Sequence, residues 1–314
     1  MRSDSSSSNS TCVSNIWRPG LEPNTPLENT IISISTTFYP GATIDSLPTD
    51  LILLSVEPVA FFVHSARLLS VSENGFNQLV SGTASNRQED DPDPIIPVPD
   101  SSAVLNIILQ SIYGMSATHF AHSFDDLSLA VASFPKYGLS VSAYLAPSAP
   151  LAATLLSHVS TSPLEVYCLA ASHDLWHIAS SASRHLLSFA LPNLTDEQAT
   201  RMGPIYLKRL FFLHLGRTDA LKRLLLPPPC AHAPTTECDY TEQKRVTRAW
   251  ALASAYLLLD AKPDMGVKTM EAALSPLAEY VDCEMCKAAL MERVKEAVVQ
   301  WSGVKVCGGS PRFD

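Results

Sequence analysis

Residues 51–65 read LILLSVEPVAFFVHS, two apolar runs separated by Val56-Glu57-Pro58 and closed by His64-Ser65. Leu51 to Leu54 is a short continuous apolar run, the pattern of a strand covered on both faces. Pro58 has no N–H to give to a ladder, so it fits a turn or the first residue of a strand and not a strand centre. Beyond it Val59, Phe61 and Val63 fall on one face at period two, with Phe62 on the other. The stretch is therefore predicted to be a β-hairpin. SARLLSVSENGF, which follows, is predicted to be a short helix ending near Asn74-Gly75, a C-capping pair. His64 falls at the strand-to-helix corner. A lone imidazole among apolar neighbours reads there as a packed core group that caps backbone atoms, not as a catalytic residue.

Working outward, residues 1–45 are rich in Ser, Thr, Asn and Pro and are expected to form a disordered tail, with TIISIST offering one short strand at its end. On the other side, SGTASNRQEDDPDP reads as a solvated loop and IIPVPD as a brief edge strand. Ser101 or Ser102 can cap a helix whose Val104, Leu105, Ile108, Leu109 and Ile112 make one apolar stripe. SFDDLSLAVASFPKYGL starts another helix, ended near Pro135. Pro147 and Pro150 mark a boundary, and beyond them strand patterning all but disappears. Pro163 suits a helix first turn, Thr195 carries a capping signal, Gly203-Pro204 opens a further helix, and three helical segments run from about 241 to 301. The expected architecture is an α+β domain over 46–145 followed by an all-α domain over 150–314.

The first of these domains resembles the BTB/POZ family. A two-stranded hairpin, a short helix, an edge strand and then paired helices is that family's order of elements. Asp50, Phe61, His64, Leu69, Ser72 and Phe76 stand where its opening pattern has an Asp, a strand ending in Phe-x-x-His, and a helix leading to Ser and Phe. Ile112-Tyr113 and Lys136-Tyr137 match its later Ile-Tyr and terminal Lys-Tyr pairs. The match covers roughly residues 48 to 142. The long helical region behind it is similar to BTB-type chains abundant in mushroom-forming fungi, which carry RAWALASAY-like and Cys-x-x-Cys segments. The resemblance implies a non-enzymatic protein–protein interaction protein, an oligomerisation or adaptor module, and as partners a second copy of the chain or a cullin-type ubiquitin ligase scaffold. Two departures stand out. Ser72 to Phe76 is one residue longer than the commoner spacing, and Ser65 stands where many members have Lys or Arg beside the strand's Asp. That second departure implies weaker self-association than in typical members.

Composition narrows the alternatives. With 22 Lys and Arg against 31 Asp and Glu in 314 residues, the net charge of −9 argues against a nucleic-acid surface. The densest basic stretch, Lys244-Arg245 with Arg248, reads as the solvated face of a helix. No signal-peptide pattern opens the chain, and its greasiest segments are too interrupted to span a bilayer. Seven cysteines spread along such a chain read as reduced thiols or metal ligands in an intracellular protein.

No phosphate loop, dinucleotide fingerprint or Gly-x-Ser-x-Gly is present, and no catalytic residue is assigned. His173-Asp174 are adjacent and so do not face each other on a helix, and His173 and His177 lack the Glu of a His-Glu-x-x-His motif. An all-α enzyme with its site in the C-terminal half is the alternative reading. One constellation does suit a metal. Cys283 and Cys286 are placed at i and i+3 where a helix begins, and CAHAPTTEC supplies Cys230, His232 and Cys238 in a proline-stiffened loop. Cys238, Cys283 and Cys286 with His232 or Cys230 could close a four-coordinate zinc site. The competing reading is that the CxxC thiols are small buried hydrophobes.

Overall fold

A computed structural model describes residues 32–80, 93–115 and 122–307 of the chain. They divide into two units, Met1–Leu155 and Leu156–Asp314. The first is mixed α+β and the second is helical.

In the first unit four strands form one sheet: β1 (Ser33–Ile34), β2 (Leu51–Leu54), β3 (Val59–Val63) and β4 (Ile95–Pro97), in the order β1-β3-β2-β4. The hairpin expected at residues 51–63 is its centre. Leu51 lies opposite Val63 and Leu54 opposite Ala60, antiparallel. Ser55 closes the turn, its N–H donating to the Val59 carbonyl and its Oγ accepting the Val59 N–H. The proline-bearing segment β4 runs parallel to β2 at one edge, where the missing Pro97 N–H costs no ladder bond. β1 runs parallel to β3 at the other edge.

The expected tail over 1–45 needs correction in its last part. Residues 1–31 lie outside the described residues, but β1 is in the sheet and Phe38 is fully buried against Phe61 and Tyr113. An apolar ring that loses its water contact outweighs the local Ser and Thr content. The division between units, at 155/156, also falls later than the boundary expected at 145–150.

α1 (Ser65–Val71) stops at Ser72, three residues before the expected Gly75 cap region ends it. Ser72 is the reason. Its Oγ accepts the Phe76 N–H and donates to the Tyr137 carbonyl, each at 2.7 Å, so the chain turns out of the helix to meet a distant segment. α2 (Ser102–Ile112) is capped by Ser101 and buries Val104, Leu105, Ile108, Leu109 and Ile112 as predicted, with Ile107 and Gln110 added. α3 (Phe124–Ser133) is capped by Ser123 and carries Asp125 and Asp126 in its first turn. Pro135 then tightens the chain into a 3-10 turn that ends on Gly138 at φ 67°. A Cβ at Gly138 would sit 2.6 Å from the Asn74 side chain, so this position needs glycine on both conformational and steric grounds.

After α4 (Val141–Tyr144) and α5 (Pro150–Ser157), the second unit consists of α6 (Pro163–Ser172), α7 (Trp176–His185), α8 (Asp196–Leu225), α9 (Tyr240–Leu259), α10 (Val267–Leu274) and α11 (Glu284–Ser302). Thr195 and Gln198 form a full capping box at the start of α8. The rod is broken at Gly203 (φ 69°, ψ 167°) just before Pro204, the position the sequence marks as a helix opening. α6 and α8 are pinned by Tyr167, whose hydroxyl donates to the Tyr206 carbonyl at 2.8 Å. Leu221, Leu225, Trp250, Met270, Leu274, Leu290, Val294 and Trp301 make the core that α8 to α11 share.

Candidate metal centre

The loop from Pro227 to Asp239 carries three prolines at its start and a fourth at Pro234, so few of its backbone groups can form regular structure. Asp239 then caps α9 by accepting from the Thr241 and Glu242 N–H groups. Inside the loop, Thr235 N–H donates to the Cys238 carbonyl and Cys238 N–H to Thr235 Oγ1. This small ring turns the Cys238 side chain inward, where it is 1% exposed.

Facing it is the start of α11. Cys283 is that helix's N-cap residue and Cys286 lies one turn in, so the i, i+3 spacing puts both thiols on one side. His232, Cys238, Cys283 and Cys286 converge there, with one donor atom from each and all four atoms within 4.8 Å of one another. His232 Nε2 lies 3.3 Å from both Cys283 Sγ and Cys286 Sγ, and Cys238 Sγ lies 3.7 Å from Cys286 Sγ. Tetrahedral zinc with bonds of about 2.3 Å to sulfur and 2.0–2.1 Å to nitrogen separates sulfurs by about 3.8 Å and sulfur from nitrogen by about 3.5 Å. The observed spacings fall within a few tenths of an ångström of those values.

The imidazole presents one nitrogen to the sulfurs. His232 Nδ1 donates to the Ala233 carbonyl at 2.7 Å, which leaves the Nε2 lone pair directed at the sulfurs. That same bond is the main cause of the upward shift of the His232 pKa. The backbone amides of Cys286 and Met285 draw the Cys283 thiol down to about 7, although neither closes a capping hydrogen bond. Burial pushes the Cys238 thiol up, and burial together with Cys238 pushes Cys286 up to about 12. Three thiols so close cannot all ionise unless a cation lies among them.

Cys230 does not join the set. It is exposed, two residues ahead of His232, and of the two alternatives for the fourth ligand the geometry brings in the histidine. Nothing in the sequence pointed to Gln243. One turn into α9, its side chain reaches towards Cys238 and stands 3.4 Å from His232 Nδ1. It sits 11 residues beyond His232, a spacing that marks no motif.

The other candidates resolve differently. His64 is 4% exposed and fully engaged. Its Nε2–H donates to the Leu47 carbonyl at 2.9 Å, and its Nδ1 then accepts from the Tyr113 hydroxyl at 2.8 Å. The His64 backbone N–H in turn donates to the Tyr113 oxygen at 3.0 Å, and burial pushes that phenol up to about 12. His64 is thus an architectural residue. His173 and His177 lie on opposite sides of the break between α6 and α7 and share no helical face, while Asp174 accepts from the Tyr206 hydroxyl. Lys244, Arg245 and Arg248 are exposed on α9, Arg245 pairing with Glu242. Most of EDDPDP lies outside the described residues. Among the described residues no helix is long and apolar enough to cross a membrane.

Comparison of the chain with protein-family models, with curated proteins and with solved structures finds no match.

Proposed function

We propose that the chain is a non-enzymatic protein–protein interaction protein built on a BTB/POZ-type first unit. One observation carries this reading: the residues behind the resemblance, scattered from Asp50 to Tyr137, find each other in space. His64 bonds to Tyr113, Ser72 bonds to Tyr137, and Phe76 stacks on Tyr137 with ring centroids 4.3 Å apart. Lys136 reaches Asp100 at 2.7 Å, and the Tyr137 hydroxyl also donates to that carboxylate. Leu69 is the exception, exposed at 37% while its neighbour Leu68 takes the core position. The order hairpin, short helix, edge strand, paired helices agrees with the family's as well. A cullin-type ligase scaffold is a partner class that rests on the resemblance alone.

Affinity capture of the tagged full chain with quantitative mass spectrometry tests the reading. A protein retained in stoichiometric amount, and rebinding when purified, is the expected result. A chain that turns over a small molecule and holds no protein would overturn it.

Self-association has its own test. Asp50 is occupied within the chain, its carboxylate accepting from both the Ser65 N–H (2.7 Å) and the Ser65 hydroxyl. Sedimentation equilibrium should therefore show wild-type self-association no tighter than micromolar, with Ser65→Arg shifting it by tenfold or more. A wild type already dimeric at nanomolar concentration would refute the weakening.

A further inference from the structure

We propose that His232, Cys238, Cys283 and Cys286 bind one zinc ion that fastens the Pro227–Asp239 loop to the start of α11. The proposal is independent of the reading of the first unit. Three thiols and one imidazole nitrogen, from two segments 45 residues apart, lie within 4.8 Å of one another, and the His232–Cys283, His232–Cys286 and Cys238–Cys286 separations match tetrahedral coordination. Hydrogen bonding alone leaves the group poorly satisfied. The histidine's only N–H is committed to Ala233, so three thiols must serve as weak donors to one nitrogen and to each other. A cation accepts lone pairs from all four, and its binding displaces the protons of the thiols that ionise.

The donor set selects the metal. Three thiolates and an imidazole in tetrahedral array suit Zn²⁺ and exclude the oxygen-seeking Mg²⁺ and Ca²⁺. All four positions are filled by the protein, which is the arrangement of a structural site and leaves none for water or substrate. What the ion would hold is equally plain. The loop has little backbone bonding of its own, yet it connects α8 to α9, and α11 supplies Leu290, Val294 and Trp301 to their common core. The zinc would be the cross-link that regular structure does not provide there.

The full chain, purified without chelator, should contain about one zinc per molecule by elemental mass spectrometry, and cobalt exchanged into it should give the ligand-field and thiolate charge-transfer bands of a tetrahedral sulfur-rich site. Chelation should lower the melting temperature. Cys283→Ser and His232→Ala should lose the metal, whereas Cys230→Ser, which removes the exposed neighbour, should retain it. The cobalt spectrum of the wild type decides the matter even if a ligand variant fails to fold. Wild-type protein that takes up neither metal, a Cys238–Cys286 disulfide in a non-reducing peptide map, or loss of metal in Cys230→Ser equal to that in Cys283→Ser would each overturn the assignment.

Discussion

Phe61→Asp is expected to leave the first unit unfolded. Phe61 is 2% exposed in the central strand β3, opposite Leu53 and against Phe38. Truncating a buried Phe costs about 3–5 kcal/mol through lost burial and the cavity left behind. Aspartate adds a second term, because its carboxylate would stand in that cavity with no cation beside it. A single domain is stable by only about 5–15 kcal/mol, so the two together consume most of the margin. Moving the side chain to solvent is no escape, since a one-residue register slip in β3 would expose Val63 and Val59 instead. Circular dichroism of the variant should show loss of strand signal with helix from the second unit retained, and limited proteolysis should clip within residues 32–155. A variant that unfolds cooperatively at a wild-type midpoint would show that Phe61 is not a core residue.

How much of this could be seen before the fold was known depends on how local the cause is. The hairpin was legible because alternation and Pro58 both act within a few residues. The α2 stripe, the Ser101 and Thr195 caps and the Gly203 break were legible for the same reason. The end of α1 was not. Asn74-Gly75 is a good local stop, but the Ser72 hydroxyl is drawn to the Tyr137 carbonyl 65 residues away, and that bond appears in no window of sequence. Phe38 was misjudged alike, because its polar neighbours outvote one aromatic in composition but not in packing. For the candidate metal centre, the thiol spacing marked the candidate ligands. Only the fold could bring the loop to α11, choose His232 over Cys230, and add Gln243.

Arginines show the limit most sharply, and they carry the second large prediction: Arg217→Ala should cost about 3–5 kcal/mol. In sequence Arg217 is one more charge on a helix. In the fold it is 6% exposed, and its guanidinium donates to three main-chain carbonyls, those of Pro263 (2.5 Å), Val304 (2.9 Å) and Lys305 (3.1 Å). It also lies over the Trp301 ring, 4.3 Å from its centroid, a cation–π contact worth roughly 0.5–2 kcal/mol. A buried ion pair can often be replaced by apolar residues without loss, because both charges leave together. That route is closed here. The acceptors are backbone, and each carbonyl left without a donor costs roughly 1–3 kcal/mol unless water reaches it. Arg217→Met separates the contributions, since it keeps the apolar stem and removes only the donors. It should be nearly as damaging as alanine. Arg217→Lys restores a charge but as a compact ammonium that cannot fork to three acceptors, and it should recover less than half of the loss. Urea titrations of the full chain, followed by tryptophan fluorescence, give all three values on one scale. An Arg217→Met unfolding free energy within about 1 kcal/mol of wild type would mean that the carbonyls are satisfied without the guanidinium, and that its place in the core is packing alone.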